Sequence, residues 1–362
     1  MYHPEAFDDY DGGLDAGVQD GGAPDAGFDA DMPDADMPDA GTPDAGHDAG
    51  ADAGPICNSR QPPMRVSGSG GDGAEIVFVL RNVVFAQPGT LWNDIGFDLD
   101  ETCSDTPSTT TCGPRAGSSP QLDGADGVDN VAGREILRAL TVSNPGLQVE
   151  ARRKQDTGDS TFIVRITGWD GSDDDALVTI SVSQSIYAVP MGGVRGDTLR
   201  WDGTDSFFAT EGDFVDGDPT MPLIVDDAAY ITGRSVVMRL PEGRSIFLPW
   251  LANPLSLRLT DATVVGDISA DGETITNVRL AGRWALLDIS AALTEIGVCP
   301  GGSDRLTIDA IVERVADVRS DPGTDSLMLD CDAVSFSVGF DGTRAIFGGT
   351  VPPPPSLDLC TP

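Results

Sequence analysis

Histidine is almost absent from this 362-residue chain. Its only two histidines, His3 and His47, both lie within the first 54 residues. The rest of the chain therefore has neither a histidine general base nor a histidine metal ligand. Lysine is nearly as scarce, since Lys154 is the only one. Lys154 is therefore the only candidate nucleophile for Schiff-base chemistry, and no residue near it in the sequence suggests that it is activated.

Long apolar runs are also missing. No segment reaches the roughly 18 apolar residues of a membrane-spanning helix, so we predict no transmembrane segment. A G-x-G-x-x-G pattern occurs within residues 67–73, but it precedes the first predicted strand and is interpreted as a linker. The tripeptide Arg195-Gly196-Asp197 resembles an adhesion motif, although the same residues make a good turn.

The first 54 residues have no Lys or Arg at all, against fifteen carboxylates. Six copies of Asp-Ala-Gly and four of Pro-Asp-Ala account for much of this segment. It cannot bury enough apolar surface to offset the entropy lost on ordering, which predicts a disordered tether over residues 1–56. Residues 57–74 are predicted to be a flexible joint. Residues 75–362 should be a β-rich globular region, with a possible division into two subdomains near 190–220.

The net charge is −37, and −22 of it falls after residue 56. The globular region is therefore acidic in its own right. Such a field repels nucleic acid and anionic membranes, so neither is expected as a partner.

Six cysteines lie at positions 57, 103, 112, 299, 331 and 360, with no Cys-x-x-Cys pair. The even number favours three disulfides in an oxidising compartment over zinc binding; free thiols in a cytosolic protein are the alternative. Fifteen pairings are possible for six cysteines. Cys103 and Cys112 flank a short loop that a bridge would close, which leaves Cys299–Cys331 and Cys57–Cys360 by elimination.

The residues after Met1 are acidic and polar, unlike a secretory leader. We nevertheless expect an extracytoplasmic protein, at the outer surface or in the periplasm of a Gram-negative bacterium. Its leader is expected to lie upstream of the recorded start or to have been removed.

Strand-like runs of β-branched and aromatic residues are separated by Gly, Asp and Pro turns. They cover residues 75–85, 95–99, 161–169, 176–187, 230–240, 255–268, 274–280 and 333–340. This spacing predicts a mainly β fold, an antiparallel β-sandwich or jelly roll. Two or three helices are expected, from 129 or 130 to 140, over 283–296 and from 307 to about 318.

Aspartates cluster at three places in the sequence. Glycine-spaced Asp123, Asp126 and Asp129 could direct several oxygens at one point, and Asp98 and Asp100 share one side of a strand. Calcium prefers such an oxygen cage, so these five residues are the candidate metal site; solvated acidic turns are the alternative. Two further candidates are the groups Asp170, Asp173, Asp174, Asp175 and Asp213, Asp216, Asp218.

A glycoside hydrolase needs only two carboxylates and no histidine. Trp92, Trp169, Trp201 and Trp250 could stack on sugar rings, which keeps a carbohydrate-binding module or glycosidase as the alternative function. The sequence gives no means of pairing two carboxylates in space, and it favours a protein that is not an enzyme.

The tether, the Asp-Gly-Val-Asp-Asn segment at 126–130 and the segment Leu329–Phe340 resemble those of Asp-Ala-Gly-tethered surface lipoproteins of Gram-negative bacteria. In that group the tether follows a lipidated N-terminal cysteine, and no activity is assigned to the group. The resemblance implies a surface-tethered protein that binds or displays. Its ligand is open, with a glycan or an envelope protein as candidates.

Overall fold

The computed structural model describes residues 58–84, 87–104, 106, 109–143, 145–248, 255–353 and 359–360. The chain divides into two units, Met1–Gly54 and Pro55–Pro362, and all described residues lie in the second. The predicted tether over residues 1–56 lies outside the described residues.

Strands dominate the described residues. They are β1 (Gly73–Val84), β2 (Cys112–Gly113), β3 (Thr161–Gly168), β4 (Asp175–Val189), β5 (Ser206–Thr210), β6 (Val225–Thr232), β7 (Ser235–Arg239), β8 (Ser245–Leu248), β9 (Leu255–Ile268), β10 (Thr274–Ala285), β11 (Ser326–Asp330), β12 (Ala333–Arg344) and β13 (Ile346–Val351). The α-helices are α1 (Arg138–Ser143), α2 (Leu147–Asp156), α3 (Leu286–Glu295) and α4 (Ser303–Arg314), and a π-helical turn over Ala132–Leu137 leads into α1.

Eight of these strands close into an antiparallel barrel in the order β1-β3-β4-β6-β7-β9-β10-β12, with β12 pairing back onto β1. Strand β5 continues along β4, β13 runs parallel to β5, and β8 pairs with β9. Because a closed barrel has no edge strands, nearly every backbone polar group of the ring is paired.

The predicted sandwich or jelly roll is therefore wrong, although the mainly β composition is confirmed. Strand β4 is 15 residues long, and one of its edges changes partner along its length. The first part of that edge, to Ser181, pairs with β6 and closes the barrel, whereas Ser185–Val189 pair with β5. Periodicity identifies an extended segment but not the neighbour that each half of it takes.

Six of the predicted strands are confirmed as β1, β3, β4, β9, β10 and β12. Residues 95–99 form no strand, and residues 230–240 hold parts of two. Gly233 and Arg234 make the turn between β6 and β7, with φ of +55° and +68°. Two successive residues in the left-handed region make the tight turn of this hairpin. Arg is uncommon in such turns, so the sequence did not reveal the hairpin.

The predicted helices are also shifted. Residues 283–285 belong to β10, so that helix begins at Leu286, and the last predicted helix is α4, which begins at Ser303. Strongly charged α2 was missed, because only Leu147, Ala151 and Gln155 of its ten residues are buried. Such a narrow apolar stripe gives little periodic signal.

The barrel interior is filled by alternate residues of its strands. Phe78 on β1, Ile180 on β4, Ile231 on β6 and Phe336 on β12 are at most 1% exposed. The opposite face of β12 carries Ser335 and Ser337, which are also fully buried. Most buried polar groups have hydrogen-bond partners. The Ser335 side chain and the backbone of Ser337 bond to residues that pack over β12, whereas the Ser337 hydroxyl has no partner among the described residues.

Two disulfides join described residues, Cys112–Cys331 and Cys299–Cys360. All three predicted pairings are thus wrong, because each of them uses one of these four residues in a different bond; Cys57 lies outside the described residues. Cys112 is on β2, which pairs in parallel with β11 just before Cys331. That contact spans a sequence separation of 219 residues, and loop proximity could not reveal it.

We expect Phe336→Ala to cost about 3–5 kcal/mol of unfolding free energy, because the ring is fully buried against Trp284 and leaves a cavity. Urea denaturation followed by tryptophan fluorescence measures the loss. Phe247→Ala on β8 is the matched control, since that ring is 38% exposed. Equal losses in the two variants would contradict the assignment of Phe336 to the core.

The two disulfides should differ in their stabilising effect. Loop-entropy reasoning gives about 5 kcal/mol for Cys112–Cys331 and about 4 kcal/mol for Cys299–Cys360, from sequence separations of 219 and 61. We expect the double variant Cys112→Ser/Cys331→Ser to unfold at lower urea than Cys299→Ser/Cys360→Ser. Peptide mapping without reduction checks the pairing, and a Cys103–Cys112 peptide would refute it.

Candidate acidic metal site

Asn130 fixes the segment that carries the acidic residues. Its Nδ2 donates to Gln87 Oε1 (2.7 Å) and to the Ile95 carbonyl (3.0 Å). Its Oδ1 accepts the backbone N–H groups of Gly133 and Ser337, each at 3.0 Å. One fully buried amide thus ties three loop segments to β12. The neighbouring residue Asp129 is held in the same place.

The residues before Asn130 then meet those after Ile95. The Asp129 N–H donates to the Phe97 carbonyl at 2.9 Å, and the Asp98 N–H donates to the Arg60 carbonyl at 2.9 Å. Asp129 Oδ2 in turn accepts the Leu99 N–H at 2.7 Å. These bonds bring side chains that are about thirty residues apart in sequence to one point.

Asp98, Asp100 and Asp129 form the centre of the site. Each offers a carboxylate oxygen, and these oxygens all lie within 4.8 Å of one another. Asp98 and Asp129 are only 2% and 3% exposed. The Thr102 N–H bonds Oδ1 of both Asp98 and Asp100 at 3.0 Å, and the Thr111 hydroxyl donates to Asp100 Oδ2 at 2.6 Å. The three carboxylates are therefore held close together by neutral donors.

Asp123 adjoins this triad. Its carboxylate accepts the Ser104 N–H at 2.5 Å and lies within hydrogen-bond reach of the Asp129 side chain. Two carboxyl groups in such contact must share a proton or a cation.

Asp126, in contrast, is turned away. It has a left-handed φ of +56°, and its carboxylate pairs with Arg60 at 3.1 Å. The structure thus brings together four of the five predicted residues, and Asp126 joins an exposed ion pair instead.

The electrostatics of this group are unfavourable in the absence of a cation. Burial raises the pKa of Asp100 to about 6 and that of Asp123 to about 7. Burial and then the charges of Asp100 and Asp123 raise the pKa of Asp129 well above its usual range. Asp317, which sequence reasoning missed, belongs to the same group, and burial raises its pKa to about 7. No local motif marks Asp317, because only the fold brings it close.

A positive charge that acts on Asp100 is already engaged. Buried Arg283 pairs with Asp325 at 3.1 Å and donates to the Leu99 and Arg319 carbonyls. Its charge lowers the pKa of Asp100 only slightly, as the weakest of the influences acting on that carboxyl. The acidic group is therefore left without a full counter-charge among the described residues.

Asp98 Oδ2 is the unsatisfied atom of the site. It is buried and has no hydrogen-bond partner among the described residues. Gly127, with φ of +75°, lies so close that a Cβ there would be 2.7 Å from this oxygen. A buried carboxylate oxygen without a donor is costly unless something else neutralises it.

The other two aspartate groups have protein partners. In the third group Asp213 accepts the Gln184 N–H of β4, and Asp218 accepts the Thr220 N–H. In the second group the partners lie at turns. Asp170 accepts the Ser172 N–H, Asp173 pairs with Arg234 at 2.6 Å, and Asp174 accepts the Gly233 N–H. Within the described residues, the triad is the only group whose carboxylate oxygens converge closely enough to hold a metal ion.

Three of the four predicted sugar-stacking tryptophans lie among the described residues, and each is buried or has an arginine over its ring. Trp169 is 6% exposed, the Arg81 guanidinium covers Trp201 at 4.4 Å, and that of Arg134 covers Trp92 at 4.8 Å. Trp250 lies outside the described residues. Stacking on sugar rings is thus not favoured at the three described tryptophans.

Asp213 and Asp218, from the third aspartate group, should respond oppositely to pH. Burial raises the pKa of Asp213 to about 6, so the folded state binds its proton more tightly and stability falls as pH rises from about 4 to 6. Hydrogen bonds from Thr220 lower the pKa of exposed Asp218. We expect the melting temperature of Asp213→Asn to exceed that of wild type by more at pH 7 than at pH 4. Asp218→Asn should show no such gain over wild type. Equal shifts would refute the burial of Asp213.

Comparisons with known proteins leave the function to be inferred from the chain itself. No protein-family model, curated protein or solved structure matches the chain. Among the described residues, no helix is both long and apolar enough to cross a membrane.

Proposed function

We propose that the protein is a non-enzymatic, surface-tethered extracytoplasmic protein that binds or displays, and that calcium bound by Asp98, Asp100 and Asp129 stabilises its barrel. The observation that carries the calcium site is the buried, unpartnered Oδ2 of Asp98, a residue whose carboxylate converges with those of Asp100 and Asp129. A cation at this point would supply the missing partner. It would also offset the repulsion among the aspartates.

Calcium suits the donors that converge there. All of them are carboxylate oxygens, and calcium takes six to eight oxygen ligands in flexible geometry, including carbonyls and water. Magnesium demands a smaller octahedral shell and keeps most of its water. Zinc favours thiolate and imidazole donors, which the triad does not supply.

The bound ion would join two separate parts of the chain between β1 and α1. Asp98 and Asp100 follow the 95–97 stretch, whereas Asp129 precedes Asn130 and the π-helical turn. Calcium would thus hold Asp98 and Asp100 beside Asp129, next to the outer face of β12 where Asn130 anchors the chain. We infer a structural role for the ion, because Asp98 and Asp129 are too deeply buried to meet a macromolecular partner.

The extracytoplasmic location is supported by the cysteines. Two disulfides link described residues, and the cytosol keeps most thiols reduced. Calcium is also far more available outside the cytosol than inside it, which fits a structural site of modest affinity. The acidic repeats of residues 1–54 would hold the barrel away from a like-charged surface.

The test compares melting temperatures of the full chain in EDTA, calcium and magnesium. Calcium at about 100 times its Kd should add about 2.7 kcal/mol of stability, and magnesium should add less. In Asp98→Asn/Asp129→Asn we expect the calcium response to disappear. The same variant should melt no lower than wild type in EDTA, because two buried charges are gone.

The matched control is Asp216→Asn/Asp218→Asn, which removes two exposed aspartates from another acidic turn. It should keep the full calcium response. Identical wild-type melting curves in calcium and EDTA, or an equal loss of response in both double variants, would rule out the site.

A further inference from the structure

A cavity of about 540 Å³ lies outside the acidic site, between α2 and the connection from β4 to β5. Its walls include Arg152 and Arg153 on α2, and Arg195 and Leu199 on the connection. We call this cavity the arginine groove. Ligand pockets typically measure 300–1,000 Å³, so the groove has the size for a small molecule.

The carboxylates that line the groove are already engaged. Asp156 pairs with Arg81 at 3.0 Å, and Asp197 accepts the Val194 N–H at 2.8 Å. Asp159 accepts the Thr157 hydroxyl at 2.8 Å. None of these three contacts uses an arginine of the groove, so the positive charges there are not cancelled by direct pairing with them.

Two of the three groove arginines have free donors. Arg153 pairs with Glu150 at 2.7 Å. The Arg195 guanidinium lies over the Tyr187 ring at 4.6 Å, a contact that leaves its N–H groups available. The Arg152 side chain makes no hydrogen bond or ion pair with any residue that the structure describes. An arginine fork with unused donors is suited to an oxyanion.

Arg195 is also held in position. Tyr187 beneath it stacks on Phe208 at 4.6 Å, and Gly196 takes a φ of +96° at the turn. The Asp197 carboxylate closes this turn by accepting the Val194 N–H. In the Arg-Gly-Asp tripeptide the Asp197 carboxylate is thus used by the turn, and the Arg195 guanidinium lines the groove on the Tyr187 ring.

We propose that the arginine groove binds a small ligand with one oxyanion, a carboxylate, sulfate or phosphate group, through Arg152 and Arg195. Val149 and Leu199 give apolar walls for the rest of the molecule. The net charge of −37 disfavours polyanions such as nucleic acid or an anionic membrane. A ligand with a single charge feels the nearby guanidinium groups more than the distant field.

The test measures binding of sodium sulfate, inorganic phosphate and glucuronate to the full chain by calorimetry at low ionic strength. We expect at least one of them to bind, and the preferred probe identifies the oxyanion. Arg152→Gln and Arg195→Gln should each weaken binding about tenfold or more, the loss expected for a charged hydrogen bond. Both residues are exposed, so the melting temperature should stay unchanged.

Arg314→Gln is the matched control, because Arg314 is an exposed arginine on α4 that does not line the groove. It should bind the probe as wild type does. Absence of binding by all three probes, or an equal loss in the control, would overturn the proposal. Asp98→Asn/Asp129→Asn should leave probe binding unchanged, which keeps this test independent of the calcium site.

Discussion

The five hydrogen bonds of the Asn130 amide are the interaction on which the acidic site depends. They join β12, the loop around Ile95 and the start of the π-helical turn through a single side chain. Loss of this amide would leave several buried polar groups unpaired, at about 1–3 kcal/mol for each. Without that anchor, only the hydrogen bonds between Asp129 and the backbone of Phe97 and Leu99 would hold Asp129 beside Asp98.

The anchor in turn makes the outer face of β12 different from that of a simple barrel strand. Ser335 and Ser337 are fully buried there under the covering segment. Val131 donates to Ser335 Oγ at 2.8 Å, and Gln87 donates to the backbone carbonyl of Ser337 at 2.9 Å, whereas the Ser337 hydroxyl has no partner among the described residues. The Asp317 carboxylate accepts hydrogen bonds from both the N–H and the hydroxyl of Ser335. The polar face of one strand therefore organises much of the site.

Sequence periodicity predicted strands such as β1 and β12 well. A short run of buried β-branched residues bounded by turns is compatible with few other secondary structures. It could not predict closure, since that depends on β4 changing partner between β6 and β5. The same limit applies to the site. Asp98 and Asp100 do lie together, but not on one side of a strand as predicted, because residues 95–100 form no strand and the Thr102 N–H bonds both carboxylates. The left-handed turn at Asp126 and the distant Asp317 likewise depend on tertiary structure.

The acidic site and the arginine groove show how burial changes the meaning of a charge. Asp98 and Asp129 lie where water cannot solvate them, so their repulsion is strong and a single hard cation could relieve it. Arg152 and Arg195 are exposed to water, which screens the electrostatic interactions of each guanidinium. Each of them therefore acts only on a ligand that contacts it. The first arrangement favours a permanently bound ion that stabilises the fold. The second favours reversible exchange of a ligand, so the two sites can serve different purposes on one barrel.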